Sequence, residues 1–129
     1  MNIEKLGPIY VGGLSVEVKY DTEILQSCGI VAQWRGTRTD IRLRRDMEKQ
    51  VTLQSLIHEV GHAIDGIYNE GNEMSEPQMA AFTQGWFQVL RDNPQLAEAV
   101  VALNVDDKPG KVVPCCGDDC ECGHDCECA

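Results

Sequence analysis

The sequence predicts an α+β fold, a small antiparallel sheet of three or four strands packed on two long helices. Three observations predict it. Residues 9–44 alternate short β-prone runs with turn residues, residues 48–68 and 75–93 carry apolar side chains at helical spacing, and 129 residues suffice for one core but not for two. A tail without apolar periodicity follows, so the expected division is a domain over 1–105 and an acidic, cysteine-rich segment over 106–129.

Taken in order, Ile9-Tyr10-Val11 and Val16-Glu17-Val18-Lys19-Tyr20 flank the pair Gly12-Gly13, a hairpin signal. Ile30-Val31-Ala32-Gln33-Trp34 and Ile41-Arg42-Leu43-Arg44 form a second pair around a polar loop. The alternation of Ile41 and Leu43 with arginines predicts a strand with one wet face. Cys28, just before the third strand, reads as a small buried hydrophobe.

A helix is expected from Glu48 to Tyr68, and the loop Asn69-Glu70-Gly71-Asn72-Glu73-Met74 ends it. Ser75 with Gln78 three residues on forms a capping-box pattern, and Pro77 suits a first turn. Met79, Phe82, Trp86, Val89 and Leu90 then recur as a core stripe until Asn93-Pro94 stops the helix. Pro94 opens a short third helix through Leu96, Val100 and Leu103.

Composition bounds the function. The net charge of −10 argues against nucleic-acid binding, and residues 106–129 carry half of it, seven acids against two lysines. Arg35, Arg38, Arg42, Arg44, Arg45 and Lys49 concentrate six of the eleven basic side chains, and they read as a solvated strand and helix entrance rather than a patch for an acidic partner. With no basic leader before an apolar run, and no stretch near the ~18 apolar residues of a membrane span, the chain is expected to be soluble, cytoplasmic and without a membrane partner. Its seven cysteines then suit metal better than disulfides.

The predicted first long helix carries His58-Glu59-Val60-Gly61-His62. With three His and eleven Glu in the chain, H-E-x-x-H arises in roughly 0.6% of shuffled sequences, so chance is a poor explanation. At about 100° per residue, His62 and Asp65 lie within roughly 40° of His58. Leu53, Leu56, Val60, Ala63, Ile64 and Ile67 fall roughly opposite, between 140° and 240°. Two imidazoles one turn apart can hold Zn2+, with Glu59 between them placed to take a proton from a water held there. Gly61 weakens the helix, which is explained either by close approach of a neighbour such as a strand or by simple tolerance. Asp65 either accepts a hydrogen bond from an imidazole or is a surface acid.

A hydrolytic zinc site takes a third protein ligand. The longer pattern H-E-x-x-H-x-x-G-x-x-H fails, because Asp65 and Tyr68 stand where its glycine and last histidine belong. The candidates are Glu70, Glu73 and Glu76. Glu76 is preferred, since a packed helix start holds a ligand better than a glycine-containing loop.

Leu56-Ile57-His58-Glu59-Val60-Gly61-His62-Ala63-Ile64-Asp65, followed by Ser75-Glu76-Pro77-Gln78-Met79 and Gln88-Val89-Leu90-Arg91-Asp92-Asn93-Pro94, resembles the small phage- and prophage-encoded zinc metallopeptidases, distant relatives of the ImmA/IrrE-type gluzincins. The resemblance spans residues 1 to 100 and is strongest in the two helices. It implies a minimal zincin-like domain, zinc on His58, His62 and a glutamate, and Glu59 as general base acting on a peptide or protein substrate. The usual family form has acids and an Ala-Asn pair further into the second helix. This chain has Ala80, Ala81, Thr83 and Gln84 there, which leaves Glu76 as the matching acid.

The tail places Cys115, Cys116, Cys120, Cys122, His124, Cys126 and Cys128 among acids with almost no apolar side chains. Order there must come from bonds to sulfur, and thiolates with an imidazole suit additional Zn2+ or Cu+. Three functions follow as expectations. One is a zinc peptidase with an accessory tail. Another is a metal-binding or metal-sensing protein acting through the tail, with a non-catalytic H-E-x-x-H. In the third, a tail thiolate occupies the open zinc position and inhibits the site.

Overall fold

The computed structural model describes residues 3–103, and the cysteine-rich tail lies outside them. The fold is α+β, as predicted. A 3-10 turn at Ile3–Leu6 leads into β1 (Ile9–Val11), β2 (Leu14–Tyr20), α1 (Thr22–Ser27), β3 (Ala32–Arg35), β4 (Asp40–Leu43), α2 (Lys49–Tyr68) and α3 (Glu76–Asp92). Residues through Pro94 form one compact unit; α4 (Pro94–Ala102) is a separate helical segment. No helix among the described residues is long and apolar enough to cross a membrane.

The β1–β2 hairpin turns on Gly12 and Gly13, both with positive φ (55° and 86°). A two-residue turn with φ positive at both positions matches the twist of the strands it joins, and glycine enters that region without a steric cost. The turn also lies against α2, since a Cβ on Gly12 would come within 2.9 Å of Ile67 Cγ2.

The sheet has order β1-β2-β4-β3 and is mixed rather than antiparallel. The β1–β2 and β3–β4 pairs are antiparallel as expected, but β2 and β4 run parallel, Val18 beside Ile41. The cause is α1, a helix the sequence reading did not anticipate. It turns the chain after β2 so that β3 forms the outer edge and β4 inserts between β3 and β2. Leu25 of α1 is fully buried and anchors it.

One face of the sheet is the core. Val11, Val16, Val18, Ile41 and Leu43 pack with Leu56 and Ala63 of α2, flanked by Val60 and Ile67. Positions 56, 60, 63 and 67 are the helical stripe that the periodicity predicts, and burial of a large side chain such as Leu56 there contributes about 1.5–3 kcal/mol. Ile64 departs from that stripe and is exposed.

The other face corrects the expectation of a wet strand, for all four residues of β4 are buried. Asp40 accepts from Arg35 Nε at 2.7 Å and pairs with Lys19 at 3.1 Å. Arg42 pairs with Asp21 at 2.9 Å and bonds the Gln33 side chain. Arg44 is paired with Asp46, and Arg45 stacks over the Tyr20 ring. Half of the basic stretch, Arg35, Arg42 and Arg44, is thus paired with acids, while Arg38, Arg45 and Lys49 are exposed as expected. Cys28 also differs from expectation; it is exposed at the end of α1.

The Arg35 hydrogen bond holds the Asp40 carboxyl below its ordinary value of 3.8 against the upward push of burial, with Lys19 adding to the lowering. A carboxylate with a depressed folded value contributes stability that is fully present above its ordinary value and is lost as pH falls through the folded one. Asp40→Asn is therefore expected to lower the urea midpoint at pH 7 and to narrow its difference from wild type at pH 2. An unchanged difference across that range would show that the pairing carries no pH dependence.

Candidate metal centre

The second half of α2 and the start of α3 build one cluster. His58 and His62, four residues apart, turn their rings edge to face with centroids 4.7 Å apart and Nε2 atoms 3.0 Å apart. Glu76, the first residue of α3, brings one carboxylate oxygen to 2.7 Å from His62 Nε2 and the other to 3.2 Å from His58 Nε2. One ligand atom from each of the three lies within 4.8 Å of the others. Of the three glutamates the sequence offers, Glu76 is the one brought to both rings. Glu73 stands on the wall of the adjoining hollow, and Glu70 belongs to neither.

Local chemistry explains why Glu76 arrives there. Ser75 caps α3 through a complete capping box, its Oγ accepting from Gln78 N at 3.3 Å and its N–H donating to Gln78 Oε1 at 3.0 Å. Asp65 fixes the loop that precedes it. Its buried carboxylate accepts from the Asn69 side chain and from the backbone N–H of Met74, both at 2.8 Å. Asp65 therefore serves neither an imidazole nor solvent, and it ties the end of α2 to the residues just before Glu76.

The donor set fits a zinc ion. A tetrahedral site with Zn–N of 2.0–2.1 Å separates its ligand atoms by roughly 3.3 Å, and the three ligand atoms here lie within 4.8 Å of one another, the two Nε2 atoms at 3.0 Å. Two neutral nitrogens and one carboxylate are also the hydrolytic donor set, which leaves a fourth position. The rings are mostly covered, 22% and 21% exposed, while the Glu76 side chain is 71% exposed, so the open side faces solvent.

Glu59 lies beside the cluster without joining it. Its Oε2 accepts from the backbone N–H of Trp34 at 2.8 Å. Burial pushes its carboxyl above the ordinary value, opposed by the Trp34 N–H and by His62 and His58, with Glu76 adding to the rise. A carboxylate raised in this way is a better proton acceptor. Trp34 is a participant that sequence reasoning missed. Arg44 N donates to Val31 O at 3.1 Å, and with the β3–β4 register this turns the backbone groups of Val31, Gln33 and Arg35 toward β4 and those of Ala32 and Trp34 outward.

Two hollows flank Glu59, and both include Ala32. One, about 300 Å³, lies on the His58 side among Gln54, Ser55, Thr83 and Gln84. The other, about 430 Å³, lies on the His62 side with Glu73, Glu76 and Trp34.

The helix pair is held by the closest approach at any glycine among the described residues. A Cβ on Gly61 would stand 2.5 Å from Thr83 Cγ2 and 2.7 Å from Met79 Sδ, so the neighbour that glycine admits is α3, not a strand. The expected core stripe of α3 is only partly buried. Met79 is 1% exposed, but Phe82, Trp86, Val89 and Leu90 are exposed, with Phe82 and Trp86 edge to face on an apolar groove of about 390 Å³. Thr83, two turns from Glu76 on the same helix face, is buried beside His58. That spacing was the available signal for it.

No family model, curated protein or solved structure matches the chain.

Proposed function

We propose that this protein is a zinc-dependent peptidase of the gluzincin type, in keeping with its resemblance to phage-encoded metallopeptidases. The observation that carries the reading is the convergence of His58, His62 and Glu76, from two helices, beside a partly buried Glu59 at the open edge of a strand. His58 and His62 through Nε2, and Glu76 through its carboxylate, would hold the ion. Zinc bound there supplies Lewis acidity, polarising a carbonyl and making water a stronger acid.

The chain's own groups do the rest. Glu59 accepts a proton from water through its carboxylate and passes it to the departing amine. The outward backbone groups of Ala32 and the carbonyl of Trp34, whose N–H is already given to Glu59, offer a substrate an edge on which to lie extended, so that main-chain hydrogen bonds hold it beside Glu59. Its neighbouring side chains then enter the two hollows. Besides His58 and Glu59, the one on the His58 side is lined by amides and hydroxyls; the one on the His62 side has Glu73 and no Lys or Arg on its wall, which favours a cationic group there.

The test is to incubate the reduced, zinc-loaded full chain with a peptide library and read cleavage by mass spectrometry. Cleavage is expected, with Lys or Arg preferred over Glu on one side of the bond by about tenfold, equivalent to 1.4 kcal/mol. Glu73→Gln should narrow that preference, and His58→Ala should abolish cleavage. A protein that binds zinc at His58 and His62 yet cuts no peptide would overturn the proposal.

A further inference from the structure

We propose that Thr83 is a positioning residue which selects the tautomer of His58, leaving its Nε2 unprotonated and directed at the cluster, and that Gly61 is what lets it reach. The consequence for metal binding rests on reading His58 as a ligand; the tautomer itself does not.

The hydroxyl of Thr83 has one proton and two lone pairs. Thr83 is 6% exposed, and its Oγ1 lies 2.7 Å from Met79 O and 3.4 Å from His58 Nδ1. The carbonyl has no proton to give, so at the shorter contact the hydroxyl must be the donor. Its proton is then committed, and toward His58 it can only accept. Nδ1 of His58 is then the ring nitrogen that carries the hydrogen, and the Glu76 carboxylate, an acceptor too, takes its proton from the closer His62 Nε2 at 2.7 Å. In a neutral imidazole this leaves the lone pair on Nε2, the atom that faces His62 Nε2 at 3.0 Å and Glu76 at 3.2 Å. The hydrogen bond made by the far nitrogen decides which nitrogen is free to bind a metal.

Helix packing supplies the reach. Thr83 Cγ2 and Met79 Sδ occupy the space that a Cβ on Gly61 would fill. A residue with a side chain at 61 would hold α3 away and lengthen a contact that is already 3.4 Å. The glycine inside H-E-x-x-H and the threonine on the next helix thus act as a pair, the one making the gap and the other filling it with a methyl group and a hydroxyl.

Two variants separate the hydroxyl from the methyl. Thr83→Val keeps the shape and loses the oxygen; Thr83→Ser keeps the oxygen and loses the methyl. The full chain, with 15N-labelled histidine and no metal, is examined by NMR on the alkaline plateau where the ring signals no longer change with pH. Wild type and Thr83→Ser should show His58 protonated at Nδ1, whereas Thr83→Val should shift the proton toward Nε2 or show both forms. Competition titration with zinc should give Thr83→Val an affinity about 10- to 100-fold below wild type at the H-E-x-x-H site, with thermal stability recorded for each variant. A Thr83→Val protein with the wild-type tautomer and affinity overturns the proposal. So does a Thr83→Ser protein that behaves like Thr83→Val, because packing would then be the cause. A protein without peptidase activity leaves the NMR outcome decisive, so the two readings fail separately.

Discussion

Glu59→Gln is expected to lower peptide hydrolysis by about 10²- to 10⁴-fold while leaving the fold and the zinc affinity near wild type. The amide keeps a carbonyl oxygen that can accept from Trp34 N–H, so the 2.8 Å bond to β3 can persist. Glu59 contributes none of the three clustered ligand atoms, so the ion loses no donor. What disappears is the base. Stability should move the other way. Burial raises the Glu59 carboxyl in the folded chain, and an acid with a raised folded value destabilises the fold while it is ionised at neutral pH. A neutral glutamine removes that cost, so the variant should unfold at an equal or higher urea concentration. Slower hydrolysis with no loss of stability is the pattern of a group kept for chemistry. A variant that retains a tenth or more of wild-type activity would remove Glu59 from the role of base.

What the sequence made legible is what local spacing encodes. The turn at Gly12-Gly13, the capping box at Ser75 and Gln78, the stop at Asn93-Pro94 and the one-turn separation of His58 and His62 each depend on residues within a few positions of one another. The position of Glu76 beside both histidines was legible for the same reason, since a capped helix start fixes where its first side chain lies. Partnerships over long separations were not legible. Arg42 reads as a solvent residue until β4 is placed inside the sheet, where Asp21 and Gln33 compensate its charge. Asp65 sits on the imidazole side of the helical wheel, yet the loop folds back over it and takes both of its oxygens. The α3 stripe has core periodicity, but α2 is narrow and covers only the Met79 and Thr83 line, leaving Phe82 and Trp86 exposed. Periodicity states which side chains share a face and is silent on what covers that face.

Gly61→Ala puts two opposing effects against each other, and the packing effect is expected to win. Within an isolated helix, alanine is favoured over glycine by about 1 kcal/mol. The added Cβ, however, would stand 2.5 Å from Thr83 Cγ2 and 2.7 Å from Met79 Sδ. Both neighbours are buried, and the methyl belongs to a β-branched side chain with little rotameric freedom, so relief requires α3 to shift. Overpacking of this kind costs about 1–3 kcal/mol, enough to cancel the helical gain and in most of that range to exceed it. The same shift would carry the start of α3, and Glu76 with it, away from the histidines, so zinc affinity should fall together with the unfolding midpoint. Adding Thr83→Ser removes the obstructing methyl while keeping the hydroxyl. The double variant should therefore recover stability and affinity relative to Gly61→Ala alone, a coupling that a double-mutant cycle reads directly. If Gly61→Ala instead melts above wild type and binds zinc equally well, the gap between the helices is not filled as described, and the glycine is there by tolerance alone.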